Sequence, residues 1–263
     1  MYFHILASGS SGNCTLITAG QGEQKVRIVL DCGIAQRTGR LLAERCGESL
    51  TQVDAVLMTH HHADHSNNVI PVAARARAPL YAHVKSFGSK SYLSEKERER
   101  RHIDFHSIQD QVPFSVGPLS ITPIRLPHDA GFTFGFLFET ENARAGYFTD
   151  LGTADVLRPH LHSLDLLVLE ANHDLSMLRN GPYPRVLQDR VSGPEGHLSN
   201  QQTADLLQDA VGPSLHTLVL AHLSKENNTP DKALQAIRPV LNHEVNVHVA
   251  PPLGPLSLEA TAY

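Results

Sequence analysis

Seven residues, Thr59-His60-His61-His62-Ala63-Asp64-His65, place four histidines and one aspartate directly behind the apolar run Asp54-Ala55-Val56-Leu57-Met58. Residues 53–58 read as a short buried strand, and the turn at its carboxyl end must aim several side chains at one point. His60, His62, Asp64 and His65 fit the spacing HxHxDH. Imidazole nitrogens together with a carboxylate oxygen suit zinc, manganese or iron, and ligand pairs this close can serve two ions about 3.5–4 Å apart. Two ions need more ligands than this loop offers.

The missing donors are sought where other apolar, strand-like runs end in a polar residue. His128 follows Ile121-Thr122-Pro123-Ile124-Arg125-Leu126-Pro127, Asp150 follows Gly146-Tyr147-Phe148-Thr149, and His222 follows Leu218-Val219-Leu220-Ala221. Asp31, in Leu30-Asp31-Cys32-Gly33, is also at a strand end, where a carboxylate commonly orients a metal-binding imidazole by accepting its second N–H. Two further polar clusters are Glu170-Ala171-Asn172-His173 and Gly196-His197-Leu198-Ser199-Asn200. Ser199 and Asn200 open a helix, where unpaired N–H groups favour a phosphate. The loop Ala7-Ser8-Gly9-Ser10-Ser11-Gly12-Asn13-Cys14 reads as a tight hairpin connection or as a second phosphate cradle formed by Ser8, Ser10, Ser11 and Asn13.

The rest of the chain bounds the class. Its 263 residues fit one large α/β domain spanning 1–263, since no linker, repeat or low-complexity segment suggests a division. Strand-like runs at 3–7, 14–19, 26–32, 53–58 and 79–82 are followed, after residue 110, by runs at 119–126, 133–140, 144–149, 165–170, 215–221 and 245–250. Amphipathic helices are expected at 200–211 and 230–241, the latter opened by Thr229-Pro230-Asp231. No apolar stretch approaches the roughly 20 residues that span a bilayer, and the N-terminus lacks a signal-peptide pattern, so a cytoplasmic protein is expected. Three cysteines, Cys14, Cys32 and Cys46, form no disulfide framework. A net charge of −5 argues against a generally basic nucleic-acid coat, although bound cations can still neutralise phosphates locally. Segment 85–102, with Lys85, Lys90, Arg98, Arg100 and Arg101, reads either as a helix laced with i,i+4 pairs or as a polyanion contact.

HxHxDH, then a lone His, an Asp and a final His in this order, resembles the metallo-β-lactamase superfamily. That resemblance implies an αββα four-layer sandwich. It also implies two divalent ions, zinc or manganese: His60, His62 and His128 would hold one, Asp64, His65 and His222 the other, and Asp150 would bridge them. ASGSSGNCT, LDCG, EANHD, GPYP, GHLSN and AHLSKENNTP are similar, more narrowly, to the YycJ/WalJ-like group within the phosphodiesterase branch, next to ribonucleases Z and J. The implied activity is a metal-dependent nuclease, most closely a 5′-to-3′ exonuclease, with DNA favoured over RNA as partner and no membrane. The alternatives are a small-molecule or cyclic phosphodiesterase of the same fold and a non-catalytic metal-dependent binding protein. By the same resemblance His197 is the general acid that protonates the leaving oxygen, Glu170 orients it, and Asp64 both binds metal and accepts a hydrogen bond from the attacking water.

Overall fold

Long apolar runs such as Leu166-Leu167-Val168-Leu169 can be strands only if both faces of their sheet are covered, and the architecture satisfies that demand twice. The structure, a computed structural model, describes residues 1–87 and 94–261. It begins with β1 (Tyr2–Ala7), β2 (Cys14–Ala19), β3 (Val26–Leu30), α1 (Gln36–Arg45), β4 (Ala55–Leu57), α2 (Ala63–Ser66), α3 (Val69–Ala76), β5 (Leu80–Ala82), α4 (Glu95–Arg100) and β6 (Phe105–Ser107). There follow β7 (Phe114–Val116), β8 (Leu119–Leu126), β9 (Thr133–Thr140), β10 (Ala143–Phe148), β11 (Leu166–Glu170), α5 (Leu175–Asn180), α6 (Arg185–Val191) and α7 (Asn200–Ala210). The chain closes with β12 (Thr217–Ala221), α8 (Pro230–Ile237), β13 (Asn246–Val249) and β14 (Leu256–Glu259).

These strands make two seven-stranded sheets, β14-β1-β2-β3-β4-β5-β6 and β13-β12-β11-β10-β9-β8-β7. Three apolar clusters fill the spaces between the layers. The central one joins inward residues of both sheets, Phe3, Ile5, Ile28 and Leu57 from one and Phe134, Phe136, Phe138, Leu166 and Val168 from the other. A second packs Leu16, Val29, Val56 and Met58 against Leu42, Ala43, Val69 and Ile70 of α1 and α3. The third packs Leu167, Leu169, Leu218 and Leu220 against Leu206, Leu207, Ala233 and Ile237 of α7 and α8. Successive residues of β11 therefore alternate between the central core and the helix-covered face, which is why all five positions are buried. The four layers are those of the metallo-β-lactamase sandwich.

Three details differ from the sequence expectation. The chain's last strand crosses back to the first sheet, pairing Tyr2 with Glu259 and Phe3 with Leu258, a register that the short pattern Leu-Ser-Leu-Glu does not advertise. The helix expected at 230–241 stops at Ile237 and tightens into a 3-10 turn over Arg238–Val240, where Pro239 has no N–H to continue the ladder. Among its described residues the charged segment forms the short α4, in which Glu97 binds Arg100 and Arg101 and Arg98 pairs with Glu95; Lys90 lies outside the described residues.

Topology decides where chemistry can happen. β3, β4, β5 and β6 run parallel, as do β10, β11, β12 and β13, and β8 is antiparallel to β9, which is antiparallel to β10. The carboxyl ends of β3, β4, β8, β10, β11 and β12 share one edge of the sandwich, and that of the antiparallel β9 lies at the other. The loops that leave this edge carry Asp31, the HxHxDH turn, His128, Asp150, Glu170 and His222. Open α/β sheets place their ligands at such an edge.

Candidate metal centre

The HxHxDH turn is held by the two loops beside it. Asn13 N–H donates to the Asp64 carbonyl (2.7 Å), Cys32 N–H to the His65 carbonyl (2.8 Å), and Gly33 N–H to the Asn13 carbonyl (2.8 Å). A Cβ on Gly33 would come within 1.7 Å of the Asp64 carbonyl oxygen, so only glycine allows this approach. Asp31 then fixes the histidines. Its Oδ1 accepts from Thr59 N–H (2.8 Å), and its Oδ2 accepts from Thr59 Oγ1 (2.7 Å) and from His65 Nδ1 (2.7 Å). The bond to Nδ1 leaves His65 Nε2 facing Asp150 Oδ2 at 3.2 Å and Asp64 Oδ2 at 3.6 Å.

The remaining imidazoles are aimed in the same way. His128 Nδ1 donates to the Gly196 carbonyl (3.0 Å), which leaves Nε2 3.4 Å from His62 Nδ1. Glu170, fully buried, takes four hydrogen bonds: Oε1 accepts from His197 Nδ1 (2.9 Å) and His222 Nδ1 (3.0 Å), and Oε2 from the N–H groups of Leu151 (3.3 Å) and Leu198 (3.0 Å). Sequence alone gave Glu170 only His197; its hold on His222 comes from the register of β11 and β12, which sets Glu170 beside Ala221. Asp31, Asp150 and His222 adopt left-handed backbone with φ of 57°, 64° and 55°. Such conformations are uncommon for residues other than glycine and collect at functional sites.

Among the described residues, three sets of donors lie close enough to share an ion: His60, His62 and His128; Asp64, His65 and His222; and His60, His65 and Asp150. A further set, Asp150, Glu170, His197 and His222, adjoins them. His60 Nε2, His222 Nε2 and Asp150 Oδ2 are buried with no hydrogen-bond partner, a costly arrangement that bound cations would resolve. The donor set therefore fits divalent metal.

The electrostatics point the same way. Burial keeps His60 well below the usual imidazole range, with His65 adding to the effect, and burial beside His128 brings His62 down to about 4. Both are thus neutral, the ligating form. Burial alone would also lower His65 and His222, but Asp150 and its neighbouring carboxylates reverse the direction, raising His65 well above its ordinary value and His222 to about 10. Asp150 resists burial because His222 and His65 hold its carboxyl well below the usual carboxylate range. Protons on two buried imidazoles here balance carboxylates that cations would otherwise balance. His197 follows the same rule: burial opposes its charge, and Glu170 raises its pKa despite that.

The polar loops expected to hold substrate are divided by the structure. Ser8 Oγ accepts from His222 N–H (2.8 Å), and the Asn13 side chain accepts from Gly9 N–H (2.8 Å) while its Nδ2 lies 2.8 Å from His65 Nε2. Ser199 is the cap of α7, forming a capping box with Gln202, and Asn200 is buried against Asn228. Those four side chains are committed to holding the loops, which leaves Ser10 and Ser11 exposed. Asp129, which sequence reasoning passed over although it follows His128, places Oδ1 3.5 Å from Nε2 of both His62 and His128 and binds Arg190 through Oδ2 (2.6 Å). Replacing Asp31 by Asn, which tolerates left-handed backbone, should weaken metal affinity about 10- to 100-fold. Competition with a coloured chelator measures this, and unchanged affinity would remove Asp31 from the orienting role.

A Beta-lactamase superfamily domain model matches residues 26–223. The chain belongs to the metallo-β-lactamase superfamily and is a metallo-hydrolase of that fold with a His/Asp metal-binding cluster. It is 28% identical over 245 residues to the exodeoxyribonuclease YycJ of Bacillus anthracis, covering 93% of this chain and 90% of that one. To the exodeoxyribonuclease WalJ of Streptococcus pneumoniae it is 30% identical over 235 residues, covering 88% and 84%. Among solved structures, the metallo-β-lactamase fold protein YhfI from Bacillus subtilis superposes with a TM-score of 0.71 at 18% identity, over 98% of this chain and 99% of that one. No helix among the described residues is long and apolar enough to cross a membrane.

Proposed function

We propose that this chain is a dinuclear metal-dependent phosphodiesterase that removes nucleotides from a nucleic-acid end, with DNA as substrate and 5′-to-3′ polarity. The observation that carries this reading is the Glu170–His197 pair, Nδ1 to Oε1 at 2.9 Å, set against the His/Asp cluster. Two relatives named exodeoxyribonuclease, aligned over most of the chain, supply the substrate class. His60, His62 and His128 would hold one ion and Asp64, His65 and His222 the other, with Asp150 available to both. The set suits either zinc or manganese. Bound there, the ions supply a water of lowered pKa and neutralise charge on the phosphoryl oxygens.

The chain's own groups supply the rest. Hydrolysis of a phosphodiester leaves an alkoxide, a poor leaving group that needs a proton. Glu170 raises the pKa of His197 and so favours its protonated form, and the side chain remains 21% exposed. Its Nδ1 is fixed to Glu170, so Nε2 is the atom that gives the proton to the leaving oxygen. Asp64, 25% exposed, accepts a hydrogen bond from the attacking water. Ser10 and Ser11, exposed in the β1–β2 loop, contact the terminal phosphate. The free cysteines, two of them buried, agree with a reducing cytoplasm.

The test is metal-reconstituted protein on 5′-phosphorylated linear single strands and on closed circles of the same sequence. Linear strands should be shortened from the 5′ end while circles persist. Circles cut as fast as linear strands would overturn the exonuclease reading. Hydrolysis confined to cyclic mononucleotides would move the assignment to a small-molecule phosphodiesterase.

A further inference from the structure

We infer that His83, Phe132, Lys85 and Arg125 form the track on which a single-stranded nucleic acid lies as its end enters the metal cluster, an inference that rests on the nuclease reading above. The four residues come from two connections at the active edge. β4 and β5 are parallel neighbours, so the loop after β4 carries His60 while the turn after β5 carries His83 and Lys85. β8 and β9 pair Leu126 with Thr133, and the loop between them carries both His128 and Phe132. One bond ties this loop to the metal turn, from Phe134 N–H to the Thr59 carbonyl (3.1 Å), and a bond from Gly131 N–H to the His128 carbonyl (3.0 Å) closes the loop on itself. The patch therefore adjoins the cluster.

Its internal geometry suits an unpaired strand. The His83 and Phe132 rings stack 4.2 Å apart and are tilted by only 4°. The Arg125 guanidinium lies 4.8 Å and Lys85 Nζ 5.0 Å from the Phe132 ring centre. Arg125 is held there by a bond from Nη2 to the Gly131 carbonyl (3.2 Å). Both cations are exposed and Phe132 is half-buried, with Val84 beside Lys85 left 51% exposed. Among the described residues neither cation forms an ion pair. Two positive charges over one aromatic ring, on a chain of net charge −5, are a local concentration that phosphates complement. A guanidinium plane and aromatic rings take bases by stacking, which requires base faces that a duplex keeps covered.

The experiment compares wild-type holoenzyme with K85A/R125A, R125K and F132L. Turnover of bis-p-nitrophenyl phosphate, too small to reach the track, should be unchanged in all three. Affinity for a phosphorothioate-linked single strand should fall about tenfold or more in K85A/R125A, and the log–log salt slope should become shallower by about 0.7 per cation removed. R125K should keep that slope yet bind more weakly, since it retains the charge and loses the plane. F132L should weaken binding by roughly tenfold with the slope unchanged, the effect of losing one stacking platform. If wild type shortens single strands and the variants bind and shorten them equally well, the track lies elsewhere and the nuclease reading stands. If wild type hydrolyses bis-p-nitrophenyl phosphate but neither binds nor shortens single strands, the nuclease reading fails and takes this inference with it.

Discussion

Asp150→Ala is expected to lose both ions and, with them, phosphodiester turnover by roughly 10³-fold or more, the several kcal/mol that a metal clamp contributes to the transition state. Asp150 is buried at the contact between the two His/Asp sets, with Oδ2 3.2 Å from His65 Nε2 and Oδ1 3.9 Å from His128 Nε2. Removing it also leaves His65 and His222 without their main counter-charge. Elemental analysis should give two ions per wild-type chain and near zero for the variant. Because alanine is poorly suited to a φ of 64°, Asp150→Asn is the companion variant: it keeps a side chain that tolerates this backbone while removing the charge. One tight ion in well-loaded wild-type protein would contradict the dinuclear centre.

His197→Ala should do the opposite to metal content and nearly the same to rate. Both ions should stay, because the ligand sets are complete without this residue, while turnover on DNA falls by about 10²–10⁴. A p-nitrophenolate leaving group needs little protonation, so bis-p-nitrophenyl phosphate should lose far less. The sign of the pH effect is fixed by the raised pKa: the proton is present below it and is lost as pH rises through it. The wild-type rate on DNA should therefore decline on the alkaline side, and this limb should be absent from the variant. Equal losses on good and poor leaving groups would make His197 a positioning residue instead of the acid.

The residues of the His/Asp cluster are legible in the sequence where chemistry and local structure coincide. His60, His128, Asp150 and His222 each end an apolar run, and a polar residue at a strand end signals a site whatever the tertiary arrangement. The αββα layering was less legible, since alternation of strands and helices fits more than one α/β arrangement and the superfamily resemblance made the choice. What escaped were relations between segments. Nothing local in Ser8 or Asn13 says that their side chains meet His222 N–H and His65, because those contacts close across more than 50 residues. Ser199 reads in the sequence as a phosphate contact, and its side chain instead caps α7 in a box with Gln202, a pairing that the Ser-x-x-Gln spacing carries. The β1–β14 pairing and the His83–Phe132 stack are of the same kind, set by sheet order and invisible to periodicity.

Asp31, Asp150 and His222 stand in left-handed backbone at a cost of about 1 kcal/mol or more each, although Gly or Asn would occupy those positions more comfortably. Selection for stability alone would thus replace all three. A duplicated copy of this gene released from its catalytic duty would be expected to drift first at these strand ends, losing metal and relieving backbone strain, while the three apolar layers stayed intact. Enzymes of this kind should therefore decay into stable, inert folds and not into unfolded chains, and a relative with Gly or Asn at these positions is better read as a retired scaffold than as a damaged protein.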